Sequence, residues 1–185
     1  MRSTGPLLIT ILALCSVIGY VLFAVLFSSQ PPKSGLYIGN SGPGPQNSAK
    51  ILNVPFVHQK PWYCSEASAS MVLRYYGYNI SQDDIHENGY ESFETMLPLL
   101  SRYVDCNYDS LDVEGLKKEI DEGDPIMVRI FLGKNRHTIV VVGYGENYLY
   151  VHDPAFANGE NLKTDPEVLL NYWEPTGFAA IVFSR

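Results

Sequence analysis

The 185-residue chain holds 20 acidic and 13 basic residues, a net charge of −7, and three cysteines. That length accommodates one domain of ordinary size with an appendage. All 20 acidic residues but only 10 of the basic ones lie beyond position 50, so the C-terminal part carries −10 and lacks the basic footprint that nucleic acid requires.

From the N-terminus, Leu7 to Phe27 runs for 21 positions without a charge. At about 1.5 Å per residue a helix of that length spans roughly the 30 Å hydrocarbon core of a bilayer. Residues 1–27 therefore read as a transmembrane anchor. A cleaved signal peptide is the competing reading, but its apolar core runs to about 7–15 residues before a small-x-small site, and neither feature is present. A lipoprotein reading through Cys15 fails because Leu14 stands where a small residue is needed. Arg2 and the terminal amine on one side face Lys33 and Lys50 on the other, which places the C-terminal domain outside the cytoplasm under the positive-inside rule.

Residues 28–50, rich in Ser, Pro and Gly, read as a flexible tether. The folded domain is expected over residues 51–185, with no internal repeat. "KILNVPFV" alternates as a strand does. Ala67, Met71, Val72 and Tyr75 then recur at helical spacing from Cys64 to Tyr76, stopped by Gly77. Ser81 with Asp84 forms a capping-box start for a short helix, and Thr95 or Ser92 starts another with Pro98 in its first turn. Asp112 caps "VEGLKKEIDEG". Thereafter the period changes: "PIMVRIF", "HTIVVVGYG", "YLYVHDP" and "GFAAIVFS" are β-branched and aromatic runs, interrupted by one helix that starts at Asp165-Pro166. Helices followed by an antiparallel sheet give an α+β layout.

A hairpin through Gly145 would pair positions whose numbers sum to 290, which makes His137 and Asp153 direct neighbours on one face. An imidazole N–H could then be donated to the carboxylate, while His152 would point the other way. The bland alternative is a core histidine beside a turn aspartate. Cys64, at a helix N-terminus, faces unpaired N–H groups and the positive end of the helix dipole, which favour its thiolate. Gln59, five residues earlier, offers an amide that can donate with the Cys64 N–H to an oxyanion. Against this stand a small buried cysteine and a solvated loop glutamine.

Three stretches, "VPFVHQKPWYCSEASASMVLRYYGYNISQDDI", "LKKEIDEGDPIMVRI" and "RHTIVVVGYGENYLYVHDP", together resemble the papain-like cysteine peptidases of the bacteriocin-processing, double-glycine-leader type and their stand-alone relatives. The resemblance covers Ile51 to Arg185. It implies a papain-like fold with the nucleophile helix packed on a C-terminal antiparallel sheet. It also implies Cys64 as nucleophile, His137 as general base and acid, Asp153 as orienting carboxylate and Gln59 as oxyanion-hole side chain. No cofactor or metal is implied. The family often has Gly-Pro after the nucleophile, whereas this chain has Ser65-Glu66, a carboxylate that opposes thiolate formation unless it caps the helix start.

Two cysteines in a domain facing an oxidising space also suggest a Cys64–Cys106 bridge, although "VDCNYDS" reads as a loop without a partner signal. His58, His86, His137 and His152 lack zinc-ligand spacing, and "NIS" at Asn79 fits a glycosylation acceptor. Two functions stay open. One is a membrane-anchored, monomeric cysteine peptidase acting on a peptide or protein outside the cytoplasm; the other is a catalytically silent peptide-binding domain of the same fold.

Overall fold

In chain order the seven strands are β1 (Lys50–Ile51), β2 (Asp105–Ser110), β3 (Ile126–Phe131), β4 (Arg136–Tyr144), β5 (Leu149–His152), β6 (Leu162–Thr164) and β7 (Ala179–Ser184). Among the described residues five α-helices accompany them: α1 (Cys64–Tyr75), α2 (Gln82–Glu87), α3 (Leu97–Leu100), α4 (Val113–Glu122) and α5 (Pro166–Trp173). These come from a computed structural model that describes residues 35–37, 49–89 and 93–185. The strands form one sheet in the order β2-β7-β3-β4-β5-β6, with β1 added to the end of β4, and every pairing is antiparallel. The α+β papain-like architecture is as the sequence implies.

Strand alternation splits the core in two. Met127, Val140, Val142, Ile181 and Phe183 face one side and pack with Met71, Val72 and Leu73 of α1 and with Ile85, Leu99 and Leu100. Val128, Ile130, Ile139, Val141 and Val182 face the other, against Leu116 and Ile120 of α4 and Leu169 and Trp173 of α5. Burial on both faces explains why these strands are continuous apolar runs.

Three helix starts follow their sequence signals, whereas α3 starts after Met96 with no side-chain cap and not at Thr95, Pro98 lying in its first turn as expected. Ser81 accepts from the Asp84 N–H while the Asp84 carboxylate accepts from the Ser81 N–H, a complete capping box. The side chains of Asp112 and Asp165 cap α4 and α5. Helix α1 differs, since nine consecutive residues from Ser65 to Leu73 are buried. Its small residues let it lie close to β4: Ser65 Oγ is 2.8 Å from Thr138 Oγ1, and Ser68 Oγ donates to the Thr138 carbonyl at 3.2 Å.

Several local expectations are corrected. "KILNVPFV" pairs as a strand only over Lys50–Ile51, against Tyr144 and Gly143, because β3 takes the same edge of β4 from Val141 onward. The "VDCNYDS" segment is no loop but β2, aligned along all of β7 from Asp105↔Ser184 to Ser110↔Ala179. Its weak alternation hid it, since β2 is an edge strand with mostly exposed side chains. Within the stretch read as a tether, Gly35–Tyr37 packs on the domain: Leu36 is buried in the second core, and its carbonyl accepts from Thr164 Oγ1 at 2.6 Å. Burying such a side chain contributes about 1.5–3 kcal/mol. The apolar segment Leu7–Phe27 lies outside the described residues, among which no helix is long and apolar enough to cross a membrane.

Candidate active site

The site forms where the start of α1 meets the start of β4 and the end of β5. Tyr63, the residue before α1, gives no side-chain cap, so the first-turn N–H groups around Cys64 stay uncapped. His137 is the second residue of β4, and Asp153 follows the last residue of β5. Their Nε2 and Oδ1 atoms are 2.7 Å apart, both side chains being buried. With Nε2 occupied, Nδ1 is the ring nitrogen left for the Cys64 thiol, which lines the same cleft as His137.

The register that brings them together differs from the expected one. The hairpin turns beyond Gly145, with Tyr144 paired to Leu149, and a bulge between Val141 and Gly143 takes back one residue, so Val140 faces His152 and Asp153 continues towards Ile139 rather than His137. The shift is two residues, an even number, which preserves the face and makes the contact diagonal. His152 does point elsewhere. Its Nδ1 accepts from the Asn161 N–H, so the proton sits on Nε2, which donates to the Val54 carbonyl at 2.9 Å. Burial lowers the pKa of that ring and keeps it neutral.

The electrostatics favour a charged pair at Cys64 and His137. Burial opposes the Cys64 thiolate, but the neighbouring His137 imidazole, the Arg129 charge and the Thr138 N–H together bring the thiol down to about 7. Burial likewise opposes the imidazolium, yet the Asp153 carboxylate and the thiol raise His137 to about 10. Asp153 itself is held below the usual carboxylate range against its burial, by His137, the Tyr37 hydroxyl and the Ala155 N–H.

Arg129 was not evident in the sequence. It sits on β3, and its Nη1 donates to Ser65 Oγ at 2.8 Å and to Thr138 Oγ1 at 2.7 Å, so the cation is anchored beside the nucleophile. A lone arginine in "PIMVRIF", a strand otherwise buried, was the available signal. Glu66 does not cap α1. Its buried carboxylate pairs with His86 Nδ1 at 2.9 Å, and the His86 ring stacks on Tyr63. The charge two residues from the thiol thus has its own partner on α2.

These groups open onto a cleft of ≈ 560 Å³ lined by Gln59, Trp62, Cys64, Glu66, Arg129 and His137 among others. The Gln59 N–H donates to the Pro154 carbonyl at 2.9 Å, tying the glutamine to the residue after Asp153. Its side-chain Oε1 is buried without a hydrogen-bond partner among the described residues. Trp62 stands at the rim, 78 % exposed and with φ of 71°, a left-handed conformation that costs a non-glycine residue about 1–3 kcal/mol. Cys64 and Cys106 are both free. Cys106, on β2, has Ser101 Oγ at 3.3 Å, and burial raises its pKa. A thiolate paired with an imidazolium, backed by a carboxylate and open to a cleft, has the parts for nucleophilic acyl transfer.

Known proteins share the family and the fold of this domain. The model of the Peptidase C39-like family matches residues 51–181. No curated protein matches the chain. Among solved structures, one described as a C39-like peptidase from Bacillus anthracis is similar at 19% identity and a TM-score of 0.66, over 75% of this chain and 98% of that one. The double-glycine-motif protease of an AMS/PCAT transporter, solved with its leader peptide, is similar at 22% identity and a TM-score of 0.55, over 84% and 99%. The peptidase domain of Streptococcus ComA, a bifunctional ABC transporter of a quorum-sensing pathway, is similar at 24% identity and a TM-score of 0.56, over 70% and 97%. At these identities the likeness is one of fold.

Proposed function

The chain belongs to the Peptidase C39-like family, and from that premise we propose that it is a membrane-anchored cysteine peptidase whose nucleophile is Cys64. The observation that carries this reading is the His137–Asp153 hydrogen bond set in one cleft with Cys64, whose thiol is lowered to about 7.

In this mechanism the thiolate attacks a peptide carbonyl carbon. The resulting oxyanion is met by the Cys64 N–H and the Gln59 amide. Imidazolium His137 gives its proton to the departing amine, leaving an acyl-enzyme. The now neutral ring takes a proton from water, whose oxygen attacks the thioester, and the thiolate leaves as the imidazolium re-forms. Asp153 holds the ring so that Nδ1 faces sulfur throughout. An extended peptide fits the cleft, with Trp62, Phe93 and Leu132 as its apolar walls.

The leader peptide bound in the transporter protease supports a peptide substrate, and the apolar Leu7–Phe27 segment supports anchoring with the domain outside the cytoplasm. The test is a peptide library incubated with the wild-type chain and with Cys64→Ala. Cleavage is expected from the first alone. Binding without cleavage by both would turn the reading to a silent peptide-binding domain.

A further inference from the structure

Asp153 is 2 % exposed, and a buried carboxylate leaves both oxygens needing donors. Oδ1 has two: His137 Nε2 at 2.7 Å and the Ala155 N–H at 2.9 Å. Oδ2 has one among the described residues, the hydroxyl of Tyr37, which lies 116 residues earlier in the chain. Tyr37 is itself seated. The neighbouring Leu36 is buried in the core, Thr164 Oγ1 holds the Leu36 carbonyl, and the Tyr37 ring meets Phe156 edge-on with centroids 6.0 Å apart. Burial and the Asp153 charge push the phenol well above its ordinary pKa, so it stays a donor. His137 and Tyr37 are the titratable groups facing Asp153 among the described residues.

A carboxylate's terminal torsion is broad, and its two oxygens are equivalent until something distinguishes them. Here the hydroxyl does so. We propose that Tyr37 is a positioning residue of the peptidase site, fixing Oδ2 of Asp153 so that Oδ1 stays in line with His137, and that the segment preceding the peptidase domain is thereby a working part of the active site. This rests on the peptidase reading. The tyrosine does not line the cleft, so its effect runs through Asp153 and not through substrate binding.

Removing the hydroxyl leaves a buried carboxylate oxygen without its donor, which raises the carboxylate's pKa and makes it a less firmly held, poorer partner for the imidazolium. The experiment is the pH dependence of Cys64 alkylation by iodoacetamide in the full 185-residue chain, as wild type and as Tyr37→Phe, with thermal melts of both. Tyr37→Phe keeps the ring and its packing. The expected result is a near-unchanged melt, a midpoint of alkylation displaced to higher pH, and a rate below neutrality reduced about tenfold. Thr164→Val unseats Leu36 while sparing the hydroxyl, and is expected to shift the midpoint the same way by less; it also serves if Tyr37→Phe folds poorly. Profiles superimposable on wild type in both variants would overturn the proposal and leave the peptidase reading intact. A wild-type midpoint at the ordinary thiol value near 8.5 would instead sink the peptidase reading itself.

Discussion

His137 reaches Asp153 diagonally across the β4–β5 hairpin, Nε2 to Oδ1 at 2.7 Å, while the residue paired with Val140 is His152. The diagonal contact occupies one ring nitrogen and leaves Nδ1 for sulfur, so one imidazole can serve both the carboxylate and the thiol. With the thiol lowered to about 7 and the imidazole raised to about 10, the ion pair exists between those values. Alkylation of Cys64 should rise through about 7 and then stay flat, because the thiolate persists at higher pH. Peptide hydrolysis should rise through the same value but fall above about 10, where His137 has no proton for the leaving amine. His137→Ala should move the alkylation midpoint up by at least one unit, and an unmoved midpoint would show that the thiolate owes nothing to the ring.

Gln59→Ala separates the oxyanion from the thiolate. Iodoacetamide alkylation passes through no oxyanion, so its rate should be unchanged, whereas kcat for a cleaved peptide should fall on the order of a hundredfold. Equal losses in both assays would place Gln59 in support of Cys64 instead.

Arg129→Met keeps the apolar stem but removes the cation that bonds Ser65 and Thr138. A chemical denaturation curve should show about 1–3 kcal/mol less stability, and the Cys64 alkylation midpoint should rise, since the Arg129 charge lowers it. A midpoint equal to wild type would confine Arg129 to a packing role.

Gly159 tests the loop that carries Asp153. Its carbonyl accepts from the Asp153 N–H at 2.8 Å, and an added Cβ would run into the Asp153 carbonyl oxygen. Gly159→Ala should therefore displace Asp153. The expected outcome is a loss of peptide hydrolysis of tenfold or more in steady-state assays, with thermal unfolding that remains cooperative; full activity would mean the loop yields without moving the carboxylate.

Protease added outside intact cells should cut between Ser28 and Lys50, release the domain and leave Leu7–Phe27 in the membrane. Immunoblotting of both fractions reads this directly. Complete protection would reverse the orientation, and a mature N-terminus just beyond Phe27 would identify a cleaved signal.

Much of the fold was legible because it rests on local rules. Capping at Ser81, Asp112 and Asp165 is a contact between a side chain and an N–H two or three residues away, and the runs of β3, β4 and β7 are apolar because helices cover both faces of the sheet. The candidate nucleophile and base were legible for a similar reason, as a cysteine opening a helix and a histidine opening a strand.

What the sequence determined by itself was therefore most of the helices, the apolar strands and their order, since caps and side-chain alternation are local. Only the tertiary structure decided what depends on groups distant in the chain. The turn beyond Gly145 and the bulge at Val141–Gly143 set the diagonal approach of Asp153 to His137, the buried strand β3 delivered Arg129 beside a thiol 65 residues before it, and the Leu36–Tyr37 segment folded back onto Asp153. Each of these is fixed by the burial of polar groups that must find partners wherever the packed chain places them, and no local pattern encodes which partner that will be.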